Sequence, residues 1–582
     1  VIFETKNVAA LQAMIQAQVK LTAAQFAKDA APVGGQVLGV SYQGMRSPDR
    51  AVCSYTAAID GAVVVTNSLA QLERIAKVAQ DKARSLAKLD EYTFFRDRYK
   101  RGEADEVAFA VVTDAAIRRW CGPQWRIATS RRTRAAALMS DLQAEQLDLL
   151  VQGKAKPGVL KTEFSLPSAG ALTLTPTGVV YHTPIVELDL ENVTKTEADL
   201  YNRWRNGYEQ NWSQFFDPIA VRLSMPGEKL ACDLTVMPLI EGTDYRQWVS
   251  VSQGAKLGPM SGDPHAGGLM HFVLALNPKS ETLKQYGGMM RVFAPQVKVD
   301  PLSWIGESMA VYCDEDPFWA DLAKAEKPEA FLETNCPRLP VVLNVEVKDG
   351  LKLTLFLAGL RAMIEQTAPN MTVWENKEHN GRTYVKISPS KEGKGQLEAG
   401  LRGPIDLAIY YAPSGEALVL TLNEDCLKRA IDRQVARAKA KEGGKPILLS
   451  GNPWLGENVA FQIDRRLVEL VAAAGNEQYQ RQMQSLAWKN LPILNEWKRL
   501  YPELDPVGVH ENFWQRRLIC PGGGKYVWNE KWQTMESTVY GHPGEPKQGP
   551  RATTALRDYN FGNFGLTFEN DGLRARFELN QN

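Results

Sequence analysis

The chain has 582 residues, a formal net charge of +1 and 44% apolar residues. That length exceeds one ordinary hydrophobic core and implies several domains. The balanced charge excludes a global field for nucleic acid or an anionic membrane, and no run approaches the roughly 18 consecutive apolar residues of a membrane-spanning helix.

In chain order, "VIFETKNVAALQAMIQAQV" reads as a strand entering a helix. It lacks the basic start and small-residue cleavage site of a signal peptide. Residue 1 is Val, so the chain is expected to be processed or truncated, with a signal or anchor upstream left open.

The segment "YTAAIDGAVVVTNSLAQLERI" from Tyr55 is repeated as "YYAPSGEALVLTLNEDCLKRAI" from Tyr410. Tyr55 matches Tyr410, Thr66 matches Thr421, Leu72 matches Leu427 and Arg74 matches Arg429. Each copy reads as two antiparallel strands around a turn, Asp60-Gly61 or Ser414-Gly415, followed by a capped helix. Ser68 with Gln71 makes a capping-box pattern, and Asn423 is the expected cap of the second helix. A "VAF" strand follows in both, at Val107 and Val459, each leading to an Asp read as a helix cap, Asp114 or Asp464. What the copies share is structural in type.

Between them, "LKTEFSLPSAGALTLTPTGVV" from Leu160 reads as a hairpin around Ser-Ala-Gly, and "ACDLTVMPLI" and "GGLMHFVLALN" read as strands. The helix "TEADLYNRWRNGYEQNWSQFF" places Tyr201, Trp204, Tyr208, Trp212 and Phe215 on one face. Residues from Asn476 read as helical. The chain ends in a hairpin around Asn570-Asp571-Gly572, and "LNVEVKDGLKLTLFL" around Asp349-Gly350 reads as another hairpin, a second trace of duplication. The implied class is α+β, with two related modules of antiparallel sheet and packed helix. The implied divisions are a first module (1–150), a β-rich middle (151–340), a second module (341–475) and a helical segment with a Gly-rich turn and terminal hairpin (476–582).

Motifs for chemistry are sparse. There is no G-x-S-x-G, H-E-x-x-H or G-x-x-x-x-G-K-[ST]. "CPGGGKYVW" from Cys520 lacks the hydroxyl and helix of a phosphate loop and reads as a turn delivering a strand, with Trp528 and Trp532 packed inward. The seven cysteines are dispersed without C-x-x-C, which suits mostly buried free thiols, with one or two long-range disulfides as the alternative in an exported protein. Asp263, His265 and His271 carry the donor types of a metal site, although Asp-Pro and Ala-Gly-Gly also read as a plain turn. Asp314, Glu315 and Asp316 beside aromatics are the carboxylates that glycoside hydrolysis would use, or an acidic turn. Tyr201, Trp204, Tyr208 and Trp212 are a candidate stacking surface for a glycan, or a packing face. The basic stretch Arg118–Arg134 reads as an ion-paired surface, so no nucleic-acid partner is expected.

The repeated module, "YNRWRNGYEQNWSQFFDPIAVRLSM", "LTVMPLIEGTDYRQWV" and "CPGGGKYVWNEKWQTMESTVYGHPGEP" together resemble a family of large, uncharacterised bacterial proteins known from planctomycete-like genomes. The resemblance implies an extracytoplasmic address and supplies no catalytic residues. "CPGGGKY" also resembles the Cys-Pro-x-Gly-Gly-x-Tyr motif of pseudopilin-like proteins, but the second cysteine of that pattern is missing here and the His-Gly pair is reversed as Gly541-His542. The expectation is a non-catalytic binding or assembly protein with a protein partner and no cofactor. The alternatives are a glycan hydrolase of the cell envelope and a metal-binding protein.

Overall fold

The computed structural model describes residues 1–26, 29–120, 122–154, 173–174, 179–188, 190–212, 218–237, 245–252, 254–293, 300–325, 328–394, 407–443, 453–514, 517–550, 559–569 and 572–581. They form two compact units, each discontinuous in sequence. One combines residues 1–98, 112–216 and 486–547; the other combines 99–111, 217–485 and 548–582. Helices and antiparallel strands are mixed throughout, with a β-rich middle and a helical C-terminal region closed by a hairpin, so the class is α+β.

In the first unit, β1 (Ile2–Glu4), α1 (Val8–Phe26), β2 (Ala31–Val37), β3 (Val40–Arg46), β4 (Cys53–Ile59), β5 (Ala62–Thr66) and α2 (Leu69–Ala79) make one module. Its sheet order is β1-β5-β4-β3-β2, all antiparallel. The β4–β5 turn has Asp60 and Gly61 at φ 47° and 77°, the left-handed pair a two-residue hairpin demands. Thr66 then accepts the Ser68 N–H on its hydroxyl, and Ser68 accepts the Gln71 N–H, which caps α2. Leu72 is fully buried against Ala57 and Val64.

The second unit is built on a thirteen-stranded sheet. Its strands are β6 (Glu106–Val112), β7 (Ile219–Ser224), β8 (Lys229–Val236), β9 (Gly268–Ala275), β10 (Ile305–Asp314), β11 (Val341–Val347), β12 (Thr372–His379), β13 (Arg382–Pro389), β14 (Ile409–Pro413), β15 (Ala417–Thr421), β16 (Val459–Asp464), β17 (Phe561–Glu569) and β18 (Gly572–Asn580). The order is β12-β13-β14-β15-β11-β10-β9-β16-β17-β18-β8-β7-β6. Helix α3 (Gly350–Thr367) follows β11, and α4 (Glu424–Glu442) follows β15. The terminal hairpin pairs Glu569 with Gly572, as the Asp-Gly signal implies.

The duplication is longer than the repeated sequence. The order strand, helix, four strands, helix is the same in β1–α2 and in β11–α4, and the leading strand pairs with the last strand in both. Glu4 lies opposite Ala62 as Glu346 lies opposite Ala417, and Tyr55 opposite Thr66 as Tyr410 opposite Thr421. The matched helices α1 and α3 start at matched caps, Asn7 and Asp349.

Four local expectations need correction. Asp349-Gly350 does not turn a hairpin: the Asp349 carboxylate accepts the N–H groups of Leu351 and Lys352 and starts α3. The pair suits either role, and the three- and four-residue spacing of Leu353, Leu357, Leu360 and Ile364 decides for helix. Gly415 does not supply positive φ; the Ser414 hydroxyl closes that turn by accepting from Glu416 and Ala417. Thr113, not Asp114, takes the capping bond of its helix, from Ala116, whereas Asp464 does accept from Arg466. Trp532 is 46% exposed and donates to Glu545, so it is not packed inward.

Elsewhere the turn reading of "CPGGGKY" fits. Gly523 has φ +74°, and a side chain on Gly522 or Gly524 would meet Tyr540, Val539 or Thr538 within 3 Å. The expected Ser-Ala-Gly turn near residue 169 lies outside the described residues; Thr173–Leu174 pairs with Val179–Val180. Six described cysteines are free thiols, Cys313, Cys426 and Cys520 being buried. No described helix is long and apolar enough to cross a membrane.

Candidate functional site

Opposed residues in neighbouring strands share a face, and so do residues two apart. Across β15, β11, β10, β9 and β16, Thr421, Val342, Tyr312, His271 and Gln462 form one row. Val419, Asn344, Ala310 and Val273 form the next row on that face. Helix α4 covers part of it, burying Cys426, Leu427, Ala430 and Ile431 against Val342, Val419 and Tyr312. Arg429, Arg433 and Arg437 recur every four residues and so form one stripe along α4.

The loop before β9 faces this stripe. Gly262 has φ +76°, and a Cβ there would lie 2.7 Å from Ala310 Cβ and 2.8 Å from Val273, so the backbone lies directly on the sheet. Asp263 follows at φ +62°, an uncommon conformation for a residue other than Gly. Its Oδ2 accepts from Arg433 Nε at 3.0 Å, Arg433 Nη2 at 2.8 Å and the Tyr312 hydroxyl at 3.1 Å. Its Oδ1 accepts from Arg437.

Asp314, the last residue of β10, is the second anchor. Its Oδ1 meets His265 Nε2 at 2.9 Å, and its Oδ2 accepts from Arg429 Nε at 3.1 Å with Arg433 3.6 Å away. The other nitrogen of His265 lies 2.6 Å from the Asp263 carbonyl oxygen. The Arg433 guanidinium also sits 5.4 Å above the Tyr312 ring, a cation–π distance.

Burial alone would raise both carboxyls. For Asp263 the Arg433 and Arg437 guanidiniums outweigh it, and for Asp314 His265, Arg433 and Arg429 do, so both are held below the usual range. Burial, with Asp263 adding to it, pushes the Tyr312 hydroxyl well up. His271 is pushed down to about 4, first by burial and then by His265. Its ring stacks on Tyr312 at 5.3 Å, and its Nε2 is buried with no hydrogen-bond partner among the described residues. Gly268 leaves the ring its place, since a Cβ there would fall 2.0 Å from His271 Cε1.

The fold therefore brings Asp263, His265 and His271 together, with the two rings 5.0 Å apart. The donor atoms of Asp263 and His265 are already engaged, the Asp263 carboxylate by two arginines and a tyrosine and both nitrogens of His265 by Asp314 and a carbonyl, which leaves His271 Nε2 alone without a partner among these three residues. Asp314, Glu315 and Asp316 do not converge. Asp314 is buried in the network, Glu315 reaches outward to Arg466, and Asp316 caps the helix Pro317–Lys324 through Phe318 N–H.

In the first unit, Tyr201, Trp204 and Tyr208 are half-buried on the helix Lys195–Trp212. Their rings follow one another at 6.2 and 4.9 Å, and Arg126 lies 4.1 Å over Trp204. Arg131 holds Glu197 through two bonds, so this face joins two helices rather than standing open to a sugar. The Trp212 side chain lies outside the described residues.

Beside the network is a cleft of about 710 Å³, within the range of small-ligand sites. Asn344 and Glu346 of β11 and Ser308 of β10 line its floor. Gln434, Arg437 and Lys441 of α4 line one wall, and residues 258–263 another. Gly306 makes room for Glu346, whose Oε2 accepts from Ser308 at 2.7 Å. Asn344 is 6% exposed, yet its amide has no hydrogen-bond partner among the described residues.

Comparison with family models, with curated proteins and with solved structures finds no match to this chain. No motif marks Arg433, Arg437, Tyr312 or Asn344 as site residues, and Arg429 is marked only as the repeat match of Arg74. The signal for the arginines was the four-residue spacing in "RAIDRQVAR".

Proposed function

We propose that this chain is a binding protein, not a catalyst, and that it holds a small polar ligand in the cleft beside α4. One observation carries the reading. The acids of the buried network, Asp263 and Asp314, are paired with Arg429, Arg433 and Arg437, and His265 is held by Asp314 and the Asp263 carbonyl, while Asn344 and Gln434 face the cleft with unused hydrogen-bonding groups. A general acid or base needs a proton it can exchange near neutral pH; carboxyls held low by guanidiniums do not provide one. The divergence of Asp314, Glu315 and Asp316 weighs against glycoside hydrolysis, which needs two carboxylates flanking one bond. The engaged donors of Asp263 and His265 weigh against metal binding there. The extracytoplasmic address and the protein partner proposed with this reading rest on the family resemblance.

The test is a thermal-unfolding screen of the whole chain against small polar molecules, repeated with Asn344→Ala. A ligand that binds only the native state raises the midpoint. The reading expects a rise that Asn344→Ala abolishes. A rise unaffected by that variant, or turnover of the added molecule, overturns it.

A further inference from the structure

The unused groups around the cleft are sorted by charge. On the helix side, Arg437 spends one nitrogen on Asp263, and its remaining N–H groups and the Lys441 ammonium have no partner among the described residues. On the strand side, Glu346 Oε1 and the carboxylates of Glu307 and Glu416 have none either. Lys256 is not part of this surplus, being paired with Glu457 at 2.9 Å. Open donors thus stand on α4, and open acceptors stand on β10, β11 and the β14–β15 turn. Asn344, more than nine-tenths buried and facing the cleft, lies between them in the floor with both amide functions free.

A purely anionic ligand would meet three unpaired carboxylates, and a purely cationic one would meet Arg437 and Lys441. A ligand bearing both signs satisfies both sides. We infer that the cleft takes a small zwitterion, an amino acid or short peptide, with its ammonium toward Glu346 and its carboxylate toward Arg437 and Lys441. Asn344 then serves as a polar contact between the charged ends. This rests on the binding reading above and adds the ligand's chemical class.

The experiment is titration calorimetry of the whole chain at low salt with six probes: alanine, diglycine, tetraglycine, 1,4-diaminobutane, succinate and a neutral disaccharide. Binding is expected for at least one zwitterion, and the preferred length separates a free amino acid from a peptide. Lys441→Ala and Glu346→Gln should each weaken that binding about tenfold or more, as loss of a charge-assisted hydrogen bond does. Lys441 is exposed, so its variant keeps the test valid if the Glu346 variant folds poorly. Tighter binding of the diamine or of succinate, or zwitterion binding unchanged in both variants, overturns the inference. If another probe binds and Asn344→Ala loses it, the zwitterion fails while the cleft stands as a binding site. If no probe gives heat, both fail.

Discussion

Arg433 donates through Nε and Nη2 to one oxygen of Asp263, at 3.0 and 2.8 Å, across a sequence separation of 170 residues. The pair fixes the middle of α4 to the loop before β9, two walls of the same cleft. Removing one member of a buried pair strands the other, at a cost of about 3–5 kcal/mol. Asp263→Asn and Arg433→Met should each lower unfolding free energy by about that amount in urea. The double variant should lose less than the sum, because neither member of the Asp263–Arg433 pair is then left facing the other's vacancy. Additive losses would mean the two do not interact.

The network also predicts acid sensitivity. His271 is neutral when folded, at about 4, against about 6.5 when unfolded. Between those values the unfolded chain binds the extra proton, so the stability from this group is present above pH 6.5 and is lost as pH falls toward 4. The full span corresponds to about 3 kcal/mol at most. Asp263 and Asp314 are held below the usual carboxyl range, so they act in the same direction at lower pH. Unfolding midpoints measured from pH 7 to pH 4 should fall, and His271→Gln should flatten that part of the profile.

Two glycines with nearly the same φ separate backbone strain from crowding. Gly61, at +77°, has nothing near its Cβ position, so Gly61→Ala should cost about 1–2 kcal/mol for the left-handed backbone alone. Gly262, at +76°, would place a Cβ within 3 Å of Ala310 and Val273. Gly262→Ala should therefore cost about 2–4 kcal/mol in the same denaturation assay, strain and overpacking together. Equal losses would place the loop farther from the sheet.

The acidic turn should divide by position. Asp316→Ala removes a helix cap and should cost about 1 kcal/mol. Glu315→Gln breaks an exposed pair with Arg466 and should change stability by less than about 1 kcal/mol. Denaturation curves of the two variants check the ranking.

What the sequence disclosed follows the range of the forces involved. The hairpins at Tyr55 and Tyr410 and the caps at Ser68 and Asn423 are local, and their residues name them. Asp349-Gly350 misled because the pair serves both a hairpin turn and a helix start; the spacing beyond it was the better guide. The polar end of the site was visible in part, since Asp263, His265 and His271 lie close in sequence. Arg433 and Arg437, which hold Asp263, and Arg429, which holds Asp314, lie more than a hundred residues from their partners, and nothing local says which way that stripe faces. The duplication itself hid them. Arg429 matches Arg74, which is exposed in the first copy, and the positions of Arg433 and Arg437 hold Val78 and Lys82 there.

The most direct measurement is native mass spectrometry of the whole chain equilibrated with the zwitterion that binds best, followed by recovery of the small molecule. A one-to-one complex is expected, lost in Asn344→Ala and weakened in Lys441→Ala, with the ligand recovered chemically unchanged. A complex that survives both substitutions, or a ligand recovered cleaved or otherwise converted, would contradict it.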